Sequence, residues 1–166
     1  MTNSIIADAS ALYMMTKIAH PDRILELLAK MTTYVEDGQL CFPREVAQDL
    51  GVTARNEPIA GWATGLGRSL SAFRADIKFN RPLVAYAKSC GFDEGFSTIS
   101  GEEPSIVHVG RLACQYSAEN REFKVASEDT GENPISPTME QLCSQASWTR
   151  IDARATLVEL GLSGFL

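Results

Sequence analysis

Short apolar runs alternate with longer segments of helical period along this chain. "SIIAD" (4–8), "QLCFP" (39–43), "FKVASED" (123–129) and "WTRID" (148–152) are brief and carry β-branched or aromatic residues. Runs of that kind suit the buried strands of a parallel sheet. The first and the third run straight into an acid, Asp8 and Asp129, and the fourth ends in Asp152, which reads equally as an edge acid and as the cap of the helix after it.

The segments between them read as helices. "HPDRILELLAKMTTYVEDG" starts at Pro21 or Asp22, puts Ile24, Leu27, Leu28 and Met31 on one face, and meets Gly38 beyond its end. "PREVAQDLG" opens at Pro43 and closes at Gly51, with Val46 and Leu50 one turn apart and Asp49 beside them. Residues 55–90 look helical but are punctuated by Gly61, Gly65 and Gly67, with "RPLVAYAKSCG" as the clearest helix. "FDEGFSTISGEE" (92–103) is a loop. "EPSIVHVGRLACQYSAE" then spaces Ile106, Val109, Leu112 and Ala113 helically, with Pro104 near its start. "TMEQLCSQAS" and "ARATLVELGL" are the last two helices. Alternating strand and helix predicts an α/β fold. The expected form is a single three-layer domain over 1–166, with a mostly parallel sheet of four to five strands and a helical insertion at about 55–100.

Composition narrows the class. No apolar run is long enough to span a membrane. "MTNSIIADAS" lacks a basic leader and a long apolar core, so no secretory signal is expected there. Cys41, Cys90, Cys114 and Cys143 are scattered without a C-x-x-C pair, which argues against zinc and for a reducing, cytoplasmic setting. His20 and His108 stand isolated in sequence. Net charge is −6, unlike a generic nucleic-acid coat. The charge is uneven, however: residues 51–88 carry Arg55, Arg68, Arg74, Lys78, Arg81 and Lys88 against only Glu57 and Asp76. That pattern fits an acidic centre beside a phosphate-attracting surface, and equally an ordinary solvated helix face.

The acids at strand ends give the candidate chemistry. In an open α/β sheet, ligands bind outside the carboxyl ends of the strands. Asp8 and Asp129 converge there if their strands are neighbours. Asp49, and Glu102 or Glu103, lie on helices that can complete the cluster. Four carboxylates in one crevice repel one another, and a hard divalent cation relieves that repulsion. Carboxylate ligands select Mg²⁺ or Mn²⁺, which activate water and clamp phosphodiesters. Each acid also has a plain structural reading. Asp8 fits the N-cap of a helix beginning at "DAS". Asp49 fits a solvated helix position, Glu103 a helix N-terminus, and Asp129 a turn.

The ordered motifs resemble the PIN-domain nucleases, in particular the larger stand-alone bacterial and phage type. "SIIADASAL" resembles their opening strand, with a hydroxyl residue, Ser10, two positions after the Asp. "CFPREVAQDL" is similar to their P-x-x-V-x-x-E-L segment, with Asp49 where Glu is usual. "EEPSIVHVGRLA" resembles their D-x-x-I-x-x-x-A helix entry, with Glu103 the better-aligned acid. "VASED" resembles their T-x-D strand end, with Ser127 in place of Thr. The resemblance implies a metal-dependent ribonuclease in which Asp8, Asp49, Glu103 and Asp129 hold the cation while Ser10 and Ser127 orient carboxylates. It further implies a toxin of a toxin–antitoxin pair, a homodimer, and a protein antitoxin that blocks the acidic groove.

Arg68 and Arg74 are candidates for contacts to an RNA backbone. Trp62 and Phe73 read first as core residues and second as base-stacking platforms. A non-catalytic module that binds RNA or a protein is the alternative reading. A phosphotransfer domain with Asp8 as nucleophile needs a second Asp two residues on, and position 10 is Ser.

Overall fold

The computed structural model describes residues 3–96 and 103–166. The element order begins β1 (Ser4–Ala7), α1 (Ala9–Ile18), a 3-10 turn (Pro21–Arg23), α2 (Ile24–Glu36) and β2 (Leu40–Cys41). Next come α3 (Arg44–Thr53), α4 (Pro58–Gly65), 3-10 segments at Gly67–Phe73 and Ile77–Phe79, α5 (Asn80–Ser89) and α6 (Ser105–Ala118). The chain closes with β3 (Phe123–Ala126), α7 (Met139–Ala146), β4 (Arg150–Ile151), α8 (Ala153–Glu159) and a 3-10 turn at Ser163–Phe165.

The strands form a four-stranded sheet in the order β2-β1-β3-β4, and every pairing is parallel. The fold is therefore the three-layer α/β arrangement expected, with the sheet wholly parallel among the described strands. Parallel strands need crossover connections, here supplied by helices. The connection from β1 leads outward to β2, whereas the connection from β3 leads the opposite way to β4. The β1/β3 boundary is thus the topological switch point, where a crevice opens at the strand ends.

The core is built from the faces that the periodicity marks. Ile5, Ile6 and Ala7 of β1 are buried, as are Val125 and Ala126 of β3. Leu27, Leu28, Met31 and Val35 turn the apolar stripe of α2 inward. Helices α5 and α6 approach closely at Gly110, where a Cβ would come within 2.6 Å of Leu83 Cδ1. Phe73 is buried, and Trp62 packs on Phe42 while its Nε1 donates to Thr32 Oγ1 at 2.9 Å. Both aromatics therefore serve packing.

Three local expectations need correction. Helix α1 fills residues to which the strand–helix pattern gave no element of their own. Its Ala11, Leu12, Met15 and Thr16 form a buried helical face. Helix α3 does not close at Gly51 but runs on to Thr53. A mid-helix glycine costs only about 1 kcal/mol, and Gly51 sits in open space. The glycine-punctuated stretch is α4 and two 3-10 segments instead of continuous α-helix, while "RPLVAYAKSCG" forms the helix expected of it, α5. Glu102 lies outside the described residues, as does half of the loop expected at 92–103. No described helix is long and apolar enough to cross a membrane.

Candidate functional site

The sheet register builds the site's centre. Ser4 to Ala7 of β1 pair in sequence with Phe123 to Ala126 of β3. One residue further, Asp8 therefore stands opposite Ser127. The Asp8 N–H still donates to Ala126 O at 3.1 Å, so the ladder carries the carboxylate to the sheet's edge. There the chain turns into α1, and Asp8 becomes its N-cap. Oδ1 accepts from the Ala11 N–H at 2.9 Å and from Ser10 Oγ at 2.6 Å. Oδ2 accepts from Ser127 Oγ. The structural and functional readings of Asp8 thus coincide in one side chain.

These contacts form a web across the switch point. Ser10 Oγ accepts from the Glu128 N–H at 2.9 Å, and Ser127 Oγ accepts from the Asp129 N–H at 3.0 Å. Each serine therefore ties Asp8 to the backbone after β3. Asp129 in turn accepts from the Met139 N–H at 3.0 Å through Oδ2, which seats it at the start of α7. Glu128 turns aside and accepts from the Ala153 N–H at 2.7 Å, supporting α8.

Asp8 is only 5% exposed, and no basic side chain pairs with it among the described residues. Burial pushes its carboxyl above the ordinary range. The bonds from Ser10, Ser127 and Ala11 pull the other way, and the neighbouring charge of Asp129 pushes it up again. A carboxylate offers roughly four acceptor sites, and the three bonds above leave room for one more ligand.

The opposite wall is made by helices. On α3, Glu45 and Asp49 are four residues apart and share a face. On α6, Ser105 and His108 are three apart and share another. The two faces meet in two rungs. Ser105 Oγ donates to Asp49 Oδ2 at 2.8 Å, and His108 Nδ1 lies 3.4 Å from Glu45 Oε1. His108 is therefore not isolated, as its place in the sequence suggested. Glu103 precedes α6 and is ion-paired with Arg111, a guanidinium only 4% exposed that also donates to Asn80 Oδ1.

Together these walls enclose a cleft of about 1190 Å³. All four expected acids, Asp8, Asp49, Glu103 and Asp129, line it, as does Ser10. Glu45, Glu128 and His108 line it too and were not expected. The shared helical faces were the available signal for Glu45 and His108. No lysine or arginine is among the described lining residues. Arg68 and Arg74 are exposed on or beside the 3-10 segment at Gly67–Phe73 and do not line the cleft. Ser127 is fully buried beneath it.

The acids share the cleft without closing on one point. Among the described residues, no three His, Cys, Asp or Glu side chains stand ready to hold a metal ion together. In kind, the donors still fit a hard cation. They are carboxylate and hydroxyl oxygens, and the most buried of them, Asp8, lacks a counter-charge. Comparison with protein-family models, with curated proteins and with solved structures returned no match for this chain.

Proposed function

We propose that the chain is a PIN-like, Mg²⁺- or Mn²⁺-dependent ribonuclease acting in the cytoplasm. One observation carries this reading: a buried carboxylate without a basic partner among the described residues, Asp8, at the switch point of a parallel sheet and beside Asp129. Buried charges are normally paired or bind metals. Asp8 and Asp129 would hold the cation, with Asp49 across the cleft. When bound, the cation supplies charge neutralisation, an activated water and polarisation of the phosphodiester.

The chain's own groups do the rest. Ser10, Ser127 and the Ala11 N–H fix the Asp8 carboxylate, so no rotamer search precedes binding. The Met139 N–H holds Asp129 in the same way. The acidic lining repels a bare phosphate backbone, so RNA binding should itself require the divalent ion. The same resemblance extends the proposal to a homodimer and a protein antitoxin.

A second reading is favoured by one contact. Arg111 already neutralises Glu103, which weakens the fourth ligand and suits a binding module with little or no catalysis. The deciding experiment is cleavage of end-labelled single-stranded RNA with Mn²⁺, Mg²⁺ or EDTA, beside Asp8→Asn. Metal-dependent cutting that vanishes in the variant supports the nuclease. RNA binding without cutting, at any metal, supports the module.

A further inference from the structure

We infer that His108, held by Glu45, is a proton acceptor in the cleft and takes a proton from the water that attacks the phosphodiester. The inference rests on the nuclease reading above and assigns a group that the four-acid scheme leaves out.

The placement follows from two helix faces. Ser105 and His108 lie one turn apart at the start of α6, and Glu45 and Asp49 lie one turn apart on α3. Ser105 Oγ bonds Asp49 Oδ2 at 2.8 Å, which fixes the pairing of the two faces. That pairing brings His108 Nδ1 to 3.4 Å from Glu45 Oε1. Both side chains are about three-quarters buried and both line the cleft.

A carboxylate facing Nδ1 selects the tautomer with its proton on Nδ1, which leaves Nε2 as the basic nitrogen. Glu45 then stabilises the imidazolium once a proton arrives. Arg44 Nε, 3.8 Å from the same Oε1, limits how far Glu45 alone biases the ring. Asp49 is the next acid on the α3 face. In the step, the water oxygen forms a bond to phosphorus and gives one proton to His108 Nε2. The bond to the leaving oxygen breaks, and that oxygen is protonated from solvent. The imidazolium and the new phosphate then each release a proton to solvent.

The test has an activity arm and a metal-free arm. Purified wild type, His108→Ala, Glu45→Gln and Asp8→Asn are assayed on end-labelled RNA with Mn²⁺, with and without added imidazole. Loss of a general base costs about 10²- to 10⁴-fold. His108→Ala is expected to lose at least about a hundredfold in kcat, with KM nearly unchanged, and to regain activity with imidazole. Asp8→Asn should not be rescued. In the metal-free protein, nitrogen-15 NMR should show the Nδ1–H tautomer for His108, and Glu45→Gln should abolish that preference. Wild-type kcat in His108→Ala, loss without imidazole rescue, or an Nε2–H tautomer in wild type would overturn the assignment. If wild type cuts and Asp8→Asn does not, that failure leaves the nuclease reading standing. If wild type cuts nothing with either metal, the nuclease reading fails and this inference with it.

Discussion

The two walls of the cleft reach their acids by different means. On the sheet side, Asp8 and Asp129 follow adjacent parallel strands, and the β1–β3 register sets where Asp8 meets Ser127. Moving Asp8 would mean breaking the ladder that bears it. On the helix side, Asp49 and Glu103 are placed by side-chain reach, and each is engaged elsewhere, by Ser105 and by Arg111. The sheet side therefore supplies position, and the helix side supplies charge that a ligand must compete for. A carboxylate without a counter-ion is the better ligand, which puts Glu103 last, and Asp49 ranks behind Asp8 and Asp129 by its place on the opposite wall.

The largest effect should follow from removing the sheet-side acid. Transition-state stabilisation by a bound cation is worth several kcal/mol, so Asp8→Asn should lower RNA cleavage by about a thousandfold or more. Asp49→Asn should cost at least an order of magnitude less, measured in the same assay. Equal losses would erase the distinction between the walls. Stability should respond next. Ser127→Ala removes the donor to Asp8 Oδ2 and the acceptor for the Asp129 N–H. Leaving buried groups unpaired costs about 1–3 kcal/mol, and in a chain this size each kcal/mol moves the melting temperature by about 2–4 °C. Thermal unfolding in EDTA reads this without any ligand. A Ser105→Ala control on the helix side should shift it less, because that bond is only part-buried.

What the chain revealed in advance follows the same division. Strand positions were legible because four short apolar runs have few alternatives once helices claim the rest. The acids at strand ends were legible because a parallel sheet gathers its carboxyl ends on one edge. Strand order was not legible, yet it decides that Asp8 and Asp129 are neighbours, since β3 pairs with β1 and not with β2. The fate of Glu103 was hidden too. Its partner Arg111 lies eight residues on, inside a helix whose apolar pattern gives no hint of a buried guanidinium. Glu45 and His108 escaped notice because their pairing depends on how α3 and α6 pack, a long-range fact. Asp8 read as either a cap or a ligand because a strand end that begins a helix makes the two roles the same place.

Asp8 also predicts how stability varies with pH. Its folded carboxyl is raised above the ordinary aspartate range, chiefly by burial. The folded state then holds the proton more tightly than the unfolded chain. The stability this gives is fully present below the unfolded value and is lost as pH rises through the folded one. Asp8→Asn removes that loss while keeping a good N-cap residue. At pH 7 in EDTA the variant should be more stable than wild type. The gain should shrink towards zero near pH 4. Mn²⁺ should raise the melting temperature of wild type only. A variant less stable than wild type at pH 7 would mean that the three hydrogen bonds outweigh burial.

The smallest effect should come from Arg111→Met, which probes the helix side directly. Breaking a buried ion pair is costly when the surviving charge stays buried. Here the survivor is Glu103, whose side chain is 41% exposed, so its charge can be met by water. Methionine fills the space of the guanidinium stem, and the main loss is the pair of donors to Asn80 Oδ1, at 3.3 and 3.1 Å. Unfolding should therefore change by no more than about 1 kcal/mol. The informative readout is calorimetric binding of Mn²⁺. A freed Glu103, already lining the cleft, no longer shares its charge with a guanidinium, so binding should tighten relative to wild type. Unchanged binding would place the whole cation site on the sheet side and leave Glu103 as a helix-entry residue held by its arginine.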